Sequence, residues 1–157
     1  MDRKLRLYLE TTVFNYYFDN DREGHEDVVR LFQAIRAGQF EGYTSRYVTD
    51  ELLEAPEPKQ SNMLGLIEAY NIEALSYHNE AARLAKIYIE AGAIPPSHLL
   101  DSLHVAAAAV YSLDCVISYN FKHINRNKTR LRTTKLNNEN GYGGVVICTA
   151  KEVLDND

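Results

Sequence analysis

Glu10, Glu51, Asp101 and Asn120 are the residues whose types and placement could do chemistry. Three are carboxylates and the fourth is an amide. Brought to one cleft, bare carboxylates would repel one another by several kcal/mol at ~4 Å and an intermediate dielectric. A hard divalent cation relieves that repulsion, and an all-oxygen donor set suits Mg²⁺ or Mn²⁺ with several waters retained. Such an ion positions water, lowers its pKa and neutralises charge on a phosphate. A single acid at a strand end reads as readily as a cap or a surface group. Spacing alone therefore leaves that reading standing beside the metal site.

Other site chemistries find little support. The chain contains no GxxxxGK[ST], GxGxxG or GxSxG, and its five histidines are scattered with no HExxH. His104, three residues after Asp101, either touches a bound metal or substrate or packs inside its helix. Between Asp114 and Glu139 no acidic residue occurs, while Lys122, Arg126, Lys128, Arg130, Arg132 and Lys135 all fall there. Tyr119 and Phe121 flank Asn120 at its start. A basic stretch beside an acidic, metal-binding edge suits a polyanionic substrate. The same stretch also reads as a solvated helix.

The elements that must position these residues follow from apolar periodicity. Lys4 to Leu9 alternates and predicts a strand. Val28, Leu31, Phe32 and Ile35 predict a helix from His25 that stops at Gly38. Further strands are expected at Phe40–Ser45, Ile72–Leu75, Cys115–Tyr119 and Val145–Cys148, and helices at Val48–Ala55, around Met63–Tyr70, at Glu80–Ala91 and from Ser97 to about Tyr111. In that last helix Leu99, Leu103, Ala106, Ala107 and Val110 are expected on the core side, with Asp101 and His104 on a neighbouring stripe. Strands separated by helices imply βαβ crossovers and a parallel sheet covered on both faces. In such sheets ligands bind beyond the carboxyl ends of the strands. Glu10 follows the first strand, Glu51 lies soon after the second, Asn120 follows the fourth, and Asp101 opens the helix before it.

Composition bounds the answer. The chain has 157 residues, 45% apolar, with 17 Lys+Arg against 22 Asp+Glu for a formal net charge of -5. That suits a single domain over 1–157 with a substantial core, and argues against a generic nucleic-acid coat. No apolar run approaches the ~20 residues of a membrane span, and no secretory signal is expected, so a cytoplasmic protein is the expectation. Cys115 and Cys148 sit in strand-like runs and are expected as buried free thiols. The acidic run from Asp19 to Asp27 is expected as a solvated loop and helix start.

Four segments resemble the signature motifs of PIN-domain proteins, above all the VapC-like toxins of type II toxin–antitoxin pairs. They are Tyr8-Leu9-Glu10-Thr11-Thr12-Val13, Ser45-x-x-Val48-x-x-Glu51, Asp101-Ser-Leu-His104-Val-Ala106, and Val116-Ile-Ser-Tyr-Asn120-Phe-Lys-His123-Ile. The resemblance implies a three-layer α/β/α fold with a mainly parallel sheet of about five strands. It implies a Mg²⁺- or Mn²⁺-dependent endoribonuclease that leaves 5′-phosphate and 3′-hydroxyl ends, a cognate antitoxin and a homodimer. Carried over, the acidic site is Glu10, Glu51, Asp101 and Asn120, with Glu10, Asp101 and Asn120 on the metal, and Thr11 and Ser118 supporting it. Lys122, Arg126, Lys128 and Arg130 are the expected RNA contacts. Two positions depart from the usual pattern, because Glu10 and Asn120 stand where Asp is common. The site thus carries three formal negative charges. These departures motivate an alternative, a catalytically degenerate PIN fold that binds RNA or protein.

Overall fold

The computed structural model describes residues 3–155. Their strands form one all-parallel sheet in the order β3-β2-β1-β4-β5, with β1 Leu5–Leu9, β2 Phe40–Ser45, β3 Glu73–Leu75, β4 Cys115–Ile117 and β5 Val146–Cys148. The chain builds outward from β1 to β3, then crosses back to β4 beside β1. The order therefore reverses between β1 and β4, whose registered pairs are Leu7–Cys115, Tyr8–Val116 and Leu9–Ile117. A crevice opens at the carboxyl ends of the strands at such a reversal.

Helices cover the sheet on both sides: α1 Thr11–Phe18, α2 His25–Arg36, α3 Arg46–Leu52, α4 Lys59–Ala69, α5 Asn79–Glu90, α6 Leu99–Val110, α7 Asn127–Glu139 and α8 Ala150–Asp155. This is the expected three-layer α/β/α architecture. Helix α5 packs on α6 and α7, whereas α2 packs on α1 and α8. No helix among the described residues is long and apolar enough to cross a membrane.

The local signals act as expected in most places. Helix α2 carries Glu26 and Asp27 in its first turn, complementing the dipole, and Gly38 takes the left-handed conformation just past its end. Cys115 and Cys148 are buried and free. Leu7, Tyr8 and Leu9 are all buried, as a central strand of a sheet covered on both faces requires. One expectation is corrected, and one helix is new. In α6, Leu99 is 51% exposed, and the buried set is Ser102 and His104 to Ala109. Small alanines let α6 press against the sheet, so Leu99 falls outside the packed stripe. Helix α1 has no apolar period that announces it. Its sequence is Thr-Thr-Val-Phe-Asn-Tyr-Tyr-Phe, and it starts because Glu10 caps it, accepting a bond from the Thr12 amide.

Candidate active site at the sheet reversal

Strand β1 delivers Glu10 to the crevice at the moment the chain turns into α1. The Glu10 amide donates to the Ile117 carbonyl at 3.1 Å, which ties its backbone to the end of β4. Oε1 of Glu10 accepts from Thr12 Oγ1 at 2.6 Å, Ser118 Oγ at 2.7 Å and the Thr12 amide at 3.2 Å. Its second oxygen makes no hydrogen bond among the described residues. Glu10 is only 3% exposed. Burial pushes its carboxyl pKa up, against the charge of His104 and the bonds from Thr12 and Ser118. A largely buried carboxylate with one oxygen engaged and the other free of donors among the described residues is a hard oxygen ligand, so the residue fits a hard metal ion.

Glu51 comes from the last turn of α3. Its Oε1 accepts from Thr11 Oγ1 at 2.5 Å and meets His104 Nε2 at 2.6 Å. The other nitrogen of His104 pairs with the Tyr8 hydroxyl at 2.7 Å, and that hydroxyl pairs with Ser45 Oγ at 2.6 Å. His104 is fully buried, as the packed reading expects, and its ring bonds the Glu51 carboxylate. For Glu51, burial favours the neutral acid, but the bond and charge of His104 with the Thr11 hydroxyl outweigh it and hold the pKa low. For His104, burial opposes the charge, yet Glu51, Glu10 and Asp101 together raise its pKa.

Asp101 lies in the first turn of α6. Its Oδ1 accepts from Asn120 Nδ2 at 3.1 Å, and its Oδ2 stands 3.5 Å from His98 Nδ1. Asn120 is held at both ends, because its Oδ1 accepts from the His123 amide at 3.1 Å. The Asn120 amide in turn donates to Ser118 Oγ at 3.0 Å, so Ser118 joins Glu10 to the Asp101–Asn120 pair. Glu10, Asp101 and Asn120 thus belong to one hydrogen-bonded array, which Glu51 meets only through the Thr11–Thr12 step of the chain, Thr11 bonding Glu51 and Thr12 bonding Glu10; among the described residues the three acids do not place three donor atoms within 4.8 Å of one another. That condition is met by His98, Asp101 and His123, a grouping that sequence reasoning missed. The spacing of His98 and Asp101 at i and i+3 on a helix start was the available signal.

The basic segment forms the loop after Asn120 and helix α7. Lys122 and Lys128 are exposed, whereas Arg126 and Arg130 are partly buried. Arg130 Nε donates to Asn125 Oδ1 at 2.9 Å, and Asn125 Nδ2 donates to the Ser118 carbonyl at 2.9 Å. Arg130 therefore braces the loop that carries Ser118 and Asn120.

The model of the PIN domain family matches residues 7–128. The chain belongs to the PIN domain family. Its matched stretch runs from β1 into α7 and includes all four motif segments. Among solved structures, this PIN domain is similar to Mycobacterium tuberculosis VapC20, a toxin that cleaves the sarcin-ricin loop, with a TM-score of 0.54 at 10% identity over 74% of this chain and 91% of that one. It is also similar to Rickettsia felis VapBC2, solved bound to a DNA fragment from its promoter, with a TM-score of 0.53 at 13% identity over 75% of this chain and 90% of that one. At such identities the likeness speaks for the fold. A search of curated proteins gives no match.

Proposed function

We propose that this PIN domain is a VapC-like endoribonuclease that depends on Mg²⁺ or Mn²⁺. The observation that carries the reading is the array of Glu10, Asp101 and Asn120, hydrogen-bonded through Ser118 at the sheet reversal, with Glu51 held beside it by Thr11 and His104 and an acid-free basic segment following Asn120. Glu10 and Asp101 are the residues that would hold the ion. Asn120 contributes chiefly by bracing Asp101, since both ends of its amide are engaged. A divalent ion bound there supplies charge neutralisation at the scissile phosphate and a more acidic water.

The protein's own groups do the rest. The Ser118 and Thr12 hydroxyls hold Glu10 at one oxygen and leave the other facing its ligand. His104 keeps Glu51 ionised, and the Glu51 oxygen not taken by Thr11 and His104 accepts a hydrogen bond from the attacking water and orients it. A cleft of about 620 Å³ lined by Thr12, Asn15, Tyr16, Lys59 and Tyr119 adjoins Glu10 and offers aromatic edges to a base. Lys122, Arg126 and Lys128 have no carboxylate partner among the described residues and are available for phosphates. Arg130 acts instead through the loop it braces. A small antitoxin, which would neutralise the activity, and a second copy of the chain are the partners that go with this reading.

The test is incubation of the untagged protein with single-stranded RNA in Mg²⁺ or Mn²⁺, with EDTA and Asp101→Asn as controls. Cleavage that yields 5′-phosphate ends and disappears in both controls is expected. Equal cleavage by folded Asp101→Asn would remove the array from the mechanism.

A further inference from the structure

One cluster next to this array is not all oxygen. His98 precedes α6, Asp101 stands in its first turn, and His123 lies in the loop after β4. One donor atom from each lies within 4.8 Å of the other two, and His98 Nδ1 is 3.5 Å from Asp101 Oδ2. The two imidazole rings stack with centroids 3.6 Å apart and planes 26° from parallel. Nδ1 of His123 is shielded from solvent and hydrogen-bonds nothing among the described residues. Buried polar atoms normally find a partner, so an orphaned ring nitrogen in a cluster of metal-ligating side chains points to a missing ligand.

We propose that His98, Asp101 and His123 bind a borderline divalent transition-metal ion of the Zn²⁺ and Co²⁺ class. Around a tetrahedral ion with bonds of ~2.0–2.1 Å, donor atoms stand roughly 3.4 Å apart. The His98–Asp101 separation already matches that, and a donor atom of His123 lies within 4.8 Å of both, so a modest rotation of the stacked rings brings the donors onto one ion. Two imidazoles and one carboxylate select Zn²⁺ or Co²⁺ over Mg²⁺, which demands oxygen ligands. Three protein ligands leave a fourth position open to water.

The groups behind these ligands hold them in place. Asn120 Nδ2 binds the other oxygen of Asp101, Asn120 Oδ1 takes the His123 amide, and Thr129 Oγ1 donates to the His123 carbonyl at 3.0 Å. The first contact orients the Asp101 carboxylate as an outer partner does, and the other two fix the backbone that carries the His123 ring. The site shares Asp101 with the proposed cleavage array, but its existence does not rest on the nuclease reading. An ion held by the two histidines would draw Asp101 toward the His98 side and so couple transition-metal availability to the neighbouring site.

The experiment is calorimetric titration of the untagged, EDTA-stripped full chain with ZnCl₂ and, separately, MgCl₂, together with the visible absorption of the Co²⁺-loaded protein. One Zn²⁺ per chain is expected. His98→Gln, His123→Gln and the double variant should each weaken Zn²⁺ binding by at least about tenfold, the least that loss of even an outer partner costs. They should also alter the Co²⁺ spectrum and leave Mg²⁺ binding unchanged. Glu10→Gln should keep Zn²⁺ affinity within about threefold, well under 1.4 kcal/mol. Because His98 is partly exposed, its variant keeps the fold, and circular dichroism checks this. Absence of Zn²⁺ binding, or equal affinity in the folded double variant, would overturn the proposal. So would a loss confined to Glu10→Gln. Failure of RNA cleavage with Zn²⁺ binding intact would instead count against the nuclease reading alone.

Discussion

His104→Leu tests the buried relay from Glu51 to Ser45. The histidine is fully buried and makes one bond to a carboxylate, at 2.6 Å to Glu51, and one to a hydroxyl, at 2.7 Å to Tyr8. A charge-assisted bond contributes ~1.5–3 kcal/mol and a neutral one ~0.5–1.5 kcal/mol. Leucine keeps the volume, Tyr8 retains Ser45, and Glu51 retains Thr11, so no group is left wholly unpaired. The loss is therefore about 2–4 kcal/mol where the pair is ionised. For a chain of this size, that is roughly 5–12 °C in Tm.

The pH dependence supplies the discriminating evidence. The folded pKa of His104 lies above its ordinary 6.5, because Glu51, Glu10 and Asp101 outweigh burial. Its contribution is fully present below 6.5 and is lost as pH rises through the folded value. Glu51 lies below its ordinary 4.5, so its contribution is present above 4.5 and lost as pH falls through the folded value. The variant's deficit should thus peak between 4.5 and 6.5 and shrink toward pH 9. Scanning calorimetry in EDTA at about pH 5.5 and 9 reads it directly. A deficit that is equal at both values, or larger at the higher one, would refute the ion-pair reasoning.

Two further outcomes are expected. Glu10→Gln should raise Tm by a few degrees at pH 7 in EDTA, because burial raises the pKa of Glu10 and its ionised form destabilises the fold above 4.5; the gain should vanish below that pH, as thermal denaturation at both values will show. Gly42→Ala should cost about 1–3 kcal/mol in urea unfolding, since its Cβ would stand 2.5 Å from Ile72 Cδ1 and 3.2 Å from two atoms of Ile35. Ile72 Cδ1 ends a flexible side chain, which favours the lower part of that range.

The sequence carries the sheet and the long amphipathic helices because periodicity records burial. Val28, Leu31, Phe32 and Ile35 are all buried in α2, as their spacing requires. Helix α1 is not legible in apolar periodicity, because its start depends on the side-chain cap that Glu10 supplies. Helix α7 reads from the sequence only as a basic segment or a solvated helix, with no packed face, because its buried residues are Thr129, Thr133 and Asn137. These face the protein through hydrogen bonds such as Thr129 to the Ala93 carbonyl and Tyr88 to Asn137, which an apolar pattern cannot register. At the site, the strand-end placement of Glu10 and Asn120 was legible from topology. The distribution of bonds was not. Asn120 looked like a ligand by type, and only coordinates show both ends of its amide engaged. The meeting of His98 with His123 depends on how the loop after β4 lies against α6, which local sequence does not encode.

Adjacent threonines divide the crevice between them. Thr11 gives its hydroxyl to Glu51, while Thr12 gives its own to Glu10 and receives the Tyr119 amide at 2.8 Å. Two acids borne by different segments are thereby hinged on a single dipeptide. Any translation of α1 carries both anchor points together, so the gap between the acids is buffered against movement of the helix. Conversely, a change in the peptide between Thr11 and Thr12 is the shortest route to altering that gap. One backbone turn thus works as the caliper of the crevice, and substitutions far along α1 should alter stability well before they alter the spacing of Glu10 and Glu51.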